Sequence, residues 1–307
     1  MSDDNSVLLN GLDGSNPLAF LAALGTLRTL TMAMPEEVVR MNWEQCDEAW
    51  RPRVWCPLAN DRDKLSKCLF QHVPSKLPAP WTADKRLPFA ASSLQRLMKD
   101  AAYACSATNR DLADVLTAFG SELFTDDKGS FADTSFRMVR SGDSAGQGLL
   151  YYACRNAELA TAEDIRASLF DRWIYSNRGS SFRWDPAEDK MYALQANNPS
   201  DDGSLSVVGA NRLALEALVL FPVQPTSNGA ATTGFIRPDA RADPEFRWPI
   251  WTVPLTLAVT GSIVASPLLC GNTDRSTYLD MGVATVFRSR QIKPNQYYRN
   301  FSPAQPL

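Results

Sequence analysis

Apolar residues run almost without a break from Leu18 to Leu30. Leu18, Phe20, Leu21, Leu24, Leu27 and Leu30 are spaced by Ala19, Ala22, Ala23 and Gly25. A surface helix carries one apolar stripe, so apolar residues around most of the circumference predict a helix buried on several sides. Its start is legible just ahead. Asp13-Gly14 is a turn dipeptide, Ser15 or Asn16 can cap with a side-chain oxygen, and Pro17 suits a first helical position that needs no N–H. Gly25 in the middle of this helix predicts a close approach by another element.

The next segments alternate. Val38 to Trp43 and Arg51 to Trp55 predict a hairpin about an acidic turn, and Asp61 to Phe70 predicts a short helix with acidic residues in its first turn. Residues Pro74 to Pro88 hold four prolines and Trp81 and read as an extended connector. Leu94, Leu97, Met98, Ala101, Ala102 and Cys105 recur at helical spacing after a cap at Ser92 or Ser93. A second helix, Asp111 to Phe119, follows a cap at Asn109 and stops at Gly120, giving a helical hairpin. Thr125 to Gly148 is polar and glycine-bearing and reads as a loop, with Ser141 to Gly148 alternatively a loose helix start. Thr161 begins another helix ending near Trp173. Ser181 to Trp184 and Lys190 to Leu194 then flank D-P-A-E-D as a hairpin, with Phe182, Trp184, Tyr192 and Leu194 as strand residues. Gly209 to Leu220 is a short apolar helix, and Thr232 to Ile236 and Gly282 to Arg288 are short strands around the proline-broken stretch Trp248 to Leu255. The mixture predicts an α+β fold of short hairpins and helices with a buried N-terminal helix and no regular βαβ alternation. Residues 1–150 form a mostly helical part with a hairpin and residues 151–307 an α+β part, or the two are one continuous domain.

Composition narrows the chemistry. The chain has 307 residues, 45% hydrophobic and 21% charged, with a net charge of -3. That is globular composition, and any nucleic-acid surface has to be local. Six scattered cysteines without a C-x-x-C pair, and a single histidine, His72, argue against zinc and against a catalytic imidazole. No phosphate-binding glycine loop occurs, so no cofactor and no metal is expected. The absence of a signal-like start and of an unbroken apolar span predicts a cytoplasmic chain with no membrane segment.

Two clusters carry binding chemistry. Between Gly282 and Leu307 there is no Asp or Glu, while Arg288, Arg290, Lys293 and Arg299 interleave with Phe287, Tyr297, Tyr298 and Phe301. Guanidiniums clamp phosphates and tyrosines stack on unpaired bases, so Arg288, Arg290, Lys293, Tyr297, Tyr298 and Arg299 are the leading nucleic-acid-binding candidates. The bland counterpart is a basic docking surface or a solvated tail. Arg172 to Arg178, R-W-I-Y-S-N-R, with Arg183, is a second basic and aromatic cluster that would extend the first, adding Arg178 and Arg183. Asp185, Glu188 and Lys190 are the residues a metal-dependent nuclease would use, although D-P-A-E-D also reads as a solvated turn. No catalytic residue is assigned.

Several stretches resemble a known family: N-P-L-A-F-L-A-A-L-G-T-L-R at Asn16 to Arg28, F-R-W-D-P-A-E-D-K-M-Y-A-L at Phe182 to Leu194, N-N-P-S at Asn197 to Ser200, W-P-I-W-T-V-P-L at Trp248 to Leu255 and V-F-R-S-R at Val286 to Arg290. They resemble CRISPR-associated proteins of type I-G (formerly I-U) systems, of the large-subunit-like or helicase-nuclease-extension kind. The resemblance implies a subunit or accessory of an RNA-guided surveillance complex, in which base pairing reads sequence and protein holds backbone or recruits the nuclease. It supplies no catalytic residues. The implied partners are CRISPR effector subunits, the helicase-nuclease, and crRNA or target DNA. The net charge of -3 departs from the basic character of large subunits, which keeps open a protein-protein adaptor using Trp81, Trp248 and Trp251.

Overall fold

Asn16 sets the first helix, α1 (Pro17–Ala33), by accepting the N–H groups of Leu18 and Ala19 while Pro17 occupies the first turn. The computed structural model describes residues 5–73, 87–106, 110–138, 148–176, 181–188, 205–227, 229–239, 242–271, 275–293 and 299–307. Every α1 residue from Pro17 to Leu30 is buried, as the unbroken apolar pattern requires.

Strands β1 (Ser6–Leu8), β2 (Arg40–Cys46) and β3 (Ala49–Trp55) form an antiparallel sheet in the order β1-β3-β2. Helix α2 (Arg62–His72) follows, capped by Asp61. The helical hairpin is present as α3 (Ala91–Ala104) and α4 (Asp111–Phe119), leading into a β4 (Gly120–Thr125) and β5 (Phe131–Asp133) pair. Helices α5 (Leu149–Leu159), α6 (Ala162–Phe170) and α7 (Val208–Ala217) come next, then the pair β6 (Val223–Thr226) and β7 (Gly229–Thr232). The second large sheet runs β11-β10-β9-β8, with β8 (Phe235–Ile236), β9 (Glu245–Trp251), β10 (Val283–Ile292) and β11 (Asn300–Phe301), and β12 (Gln305–Pro306) also pairs with β10. Helices α8 (Leu257–Val264) and α9 (Arg275–Asp280) lie between β9 and β10. The result is an α+β fold, and its main buried core takes residues from Val7 to Phe301.

Phe20 joins the layers. Its ring lies 5.9 Å from Trp43 of the first sheet and 5.9 Å and 6.5 Å from Trp248 and Trp251 of the second. Both indoles of β9 spend their N–H on the first layer: Trp248 donates to the Gly14 carbonyl and Trp251 to that of Met41, each at 2.8 Å. Trp248 and Trp251 are therefore core residues with no exposed surface, which overturns the expectation that they supply an adaptor face. Trp81 lies outside the described residues.

Other expectations are corrected by local physics. The first half of the proline-broken stretch, Trp248 to Trp251, is the end of β9, a strand buried at every residue, whereas Thr252 and Val253 beyond it are exposed. Arg247 donates its N–H to Gly234 on the β8 side, so the period-2 pleat turns position 249 the same way. There β8 has already ended, and the missing N–H of Pro249 costs no ladder bond. Phe182 and Trp184 form no strand. Arg183 sits at φ 63° and Asp185 opens a 3-10 turn at Pro186–Glu188 by accepting from Ala187 and Glu188 N–H groups. The two rings stack on each other at 4.4 Å inside the core. Tyr192 and Leu194 lie outside the described residues. Helix α6 ends at Phe170 instead of Trp173, because the Trp173 indole donates to the Ser168 carbonyl and caps the last turn from outside the helix. Helix α3 starts at Ala91 without a side-chain cap, so neither Ser92 nor Ser93 caps it. Part of the Thr125–Gly148 stretch pairs as β5.

The predicted close approach at Gly25 is to α7. A Cβ there would lie 1.8 Å from the Leu213 carbonyl oxygen, whereas one at Gly261 of α8 would meet only Leu220 Cδ2 at 3.6 Å. Gly25→Ala should therefore destabilise the fold by about 2 kcal/mol or more, since two backbones must part. Gly261→Ala should stabilise it by about 0.5–1 kcal/mol through helix propensity alone. Urea unfolding of the two variants checks the opposite signs.

Candidate nucleic-acid interface

Alternation in β9 and β10 puts four charged side chains on one sheet face. Glu245 stands opposite Arg290 and Arg247 opposite Arg288, while Phe246, Trp248, Phe287 and Ser289 face the core. Glu245 is completely buried. Arg247 Nε donates to its Oε1 at 2.7 Å, and its Oε2 lies 3.9 Å from Arg288 and 3.6 Å from Arg290. A buried carboxylate needs hydrogen bonds or cationic partners, and here three guanidiniums surround one. Arg247 is spent internally, its Nη1 also reaching the Leu269 and Gly271 carbonyls. Arg288 and Arg290 keep 32% and 63% of their side-chain surface, so this face presents two positive charges in excess of its carboxylate.

The remaining C-terminal candidates are placed differently. Lys293 pairs with Asp243 at 2.7 Å at the strand end, adding no net charge. Arg299 is anchored, its Nη1 on Gln291 Oε1 at 2.9 Å and its backbone N–H on Met138. Tyr297, Tyr298 and Arg178 lie outside the described residues. Arg183 faces inward, its Nη1 3.4 Å from the Glu188 carbonyl. The two clusters meet on one short segment. Gln291 donates to the Ser135 carbonyl and Arg299 to Met138, while Trp184 donates to Phe136 between them.

The carboxylates Asp185 and Glu188 are corrected too. Neither is a solvated turn residue: both are buried. Asp185 is saturated by Asn16 Nδ2 at 2.8 Å, Tyr175 OH at 2.7 Å and the Ala187 N–H. The Asn16 amide thus caps α1 with its oxygen and grips Asp185 with its nitrogen. Glu188 accepts from Ser181 Oγ, and its Oε1 has no hydrogen-bond partner. Burial first, then the Asp185 charge, push the Glu188 carboxyl up to about 8, against the pull of Ser181 and Arg183. Burial and Asp185 push the Tyr175 hydroxyl well above its ordinary range. Lys190 lies outside the described residues. Among the described residues no three His, Cys, Asp or Glu side chains are grouped to hold a metal ion, and no helix is long and apolar enough to cross a membrane.

Glu245, Arg247 and Asp243 were not singled out from sequence. The signal was present as two period-2 charged patterns, E-F-R at Glu245 to Arg247 and R-S-R at Arg288 to Arg290. They become one site only once the strands are seen to pair.

No protein-family model matches the chain, and no curated protein and no solved structure does so either.

Glu188 yields a pH prediction. A carboxyl that binds its proton more tightly when folded stabilises fully below its ordinary value of 4.5 and loses that contribution as pH rises toward about 8. Thermal melts of the parent should fall in Tm across this window. Glu188→Gln should flatten the fall and be the more stable protein at pH 8, by about 1 kcal/mol or more. Equal pH slopes in the two proteins would refute the assignment.

Proposed function

We propose that this chain is a non-enzymatic, cytoplasmic subunit or accessory of a type I CRISPR surveillance complex, holding crRNA or target DNA backbone on the β9–β10 face. The observation that carries the binding reading is the arrangement of Arg288 and Arg290. Both stand on a strand beside one buried carboxylate with net positive charge, Arg290 open to solvent and Arg288 half-buried. Guanidiniums held this way suit phosphates, which position a partner without reading its sequence. The CRISPR setting is supported by the sequence resemblance.

Charge reversal at these positions would crowd buried Glu245, so Arg288→Gln with Arg290→Gln is the cleaner test. The double variant should melt near the parent temperature. Titrating a labelled single-stranded RNA or DNA at several salt concentrations should show weaker binding and a log K against log salt slope reduced by about 1.4. An unchanged slope would remove the site, and turnover of a nucleic acid by the pure protein would remove the non-enzymatic reading.

A second reading, an adaptor that recruits the helicase-nuclease, is favoured by one observation. No charged residue occurs between Arg247 and Asp274, and within that stretch Val253, Val259 and Leu268 are exposed. An uncharged stretch with exposed apolar side chains offers a partner surface that costs no charge desolvation. Co-purification with the helicase-nuclease that survives nuclease digestion and is lost in Val259→Asp would favour the adaptor; dependence on nucleic acid would favour the first reading.

A further inference from the structure

Buried polar atoms rarely go without partners, yet the β9–β10 face leaves a donor and an acceptor open beside each other. Glu245 Oε2 is buried and, among the described residues, accepts no hydrogen bond, because Arg290 Nε at 3.6 Å and Arg288 Nη1 at 3.9 Å stand too far off. Arg288 Nε, on that same guanidinium, is buried and donates to nothing among them. Arg247 cannot close the gap. Its Nε is spent on Glu245 Oε1 at 2.7 Å and its Nη1 on the Leu269 and Gly271 carbonyls.

The chemistry of the gap narrows what completes it. A phosphate oxygen can accept from Arg288 Nε, but it brings negative charge against Glu245 and has no proton for Oε2. An ammonium can donate to Oε2, but it crowds three guanidiniums and offers Nε nothing. A hydroxyl does both without adding charge. On a nucleic-acid backbone that group is the ribose 2′-OH, a hydroxyl that carboxylates also take in dinucleotide sites. It is flanked by phosphates, and Arg290, with 63% of its side chain exposed, is placed to meet one. Entry requires only that an arginine swing outward: neither Arg288 nor Arg290 is hydrogen-bonded to Glu245, and both reach solvent.

We propose that the strand held on this face is RNA, recognised by a 2′-hydroxyl that donates to Glu245 Oε2 and accepts from Arg288 Nε while Arg290 takes an adjoining phosphate. The proposal rests on the nucleic-acid reading above and decides between its two kinds of strand.

Three labelled single strands of one sequence, built from adenine and cytosine alone, test it: RNA, DNA and 2′-O-methyl RNA. The parent should bind RNA about tenfold more tightly than DNA, the scale of one hydrogen bond to a charged group. Methylation keeps the ribose but removes the donor, so 2′-O-methyl RNA should bind within about twofold of DNA. Glu245→Asp keeps the charge and withdraws the acceptor by one methylene; in a variant that still melts cooperatively, RNA affinity should fall to the DNA level. Equal binding of RNA and DNA by the parent would leave the gap to water and overturn the proposal, with the sheet face retained if Arg288→Gln/Arg290→Gln still weakens both. A preference for RNA that survives methylation, or survives Glu245→Asp, overturns it as well. Should Glu245→Asp fail to fold, the methylated strand decides alone. A parent that binds none of the strands, or whose binding ignores Arg288→Gln/Arg290→Gln, removes the nucleic-acid reading itself.

Discussion

The contact between α1 and α7 at Gly25 is the constraint on which the other layers depend. Helix backbones come this close only where one partner has no side chain, and the Leu213 carbonyl occupies the space a Cβ would take. Once the helices are in contact, α1 has no solvent face left, and Arg28 must be buried with them. It is compensated by Glu216 of α7 at 2.7 Å and Asp111 of α4 at 2.9 Å, with Arg212 on the same Glu216 at 2.9 Å. Burying one apolar helix thus creates an ionic network that ties three helices in a fixed register.

From that helix the order extends to the candidate interface through few contacts. Phe20 carries it to Trp248 and Phe246 on the core face of β9. The opposite face of the same strand carries Glu245 and Arg247. The backbone that carries the arginines of β10 is held in place because the far side of their sheet is packed aromatic core, and their common counter-charge lies out of reach of solvent. The net charge of -3 for the whole chain gives no hint of this face.

Elements specified by their own local residues could be read from the chain. The α1 cap and its burial, the first hairpin, the α3–α4 pair and the α6 cap at Thr161 all depend on neighbours within a turn or two. What could not be read was set by distant partners. Pro249 is tolerated in a buried strand because β8 stops short of it, and Asp185 is buried because Asn16, 169 residues away, supplies a donor. The Arg288 and Arg290 part of the candidate site was visible as a charge pattern, but the Glu245 that organises it comes from a strand with its own composition. Trp248 and Trp251 looked like contact residues for the opposite reason: tryptophan is suited to interfaces and cores alike, and only packing distinguishes the two.

The return of the C-terminus over β10 also limits how a partner can engage this sheet. Strands β11 and β12 pair with β10 along its second half while β9 occupies the other side, and Leu307 donates its N–H to Val286. The arginine-bearing length of β10 is thereby an interior strand whose peptide groups are already paired on both edges. No guest polypeptide can extend the sheet there by adding a strand of its own. Recognition at this face is left to side chains alone, and it has to come from above the sheet.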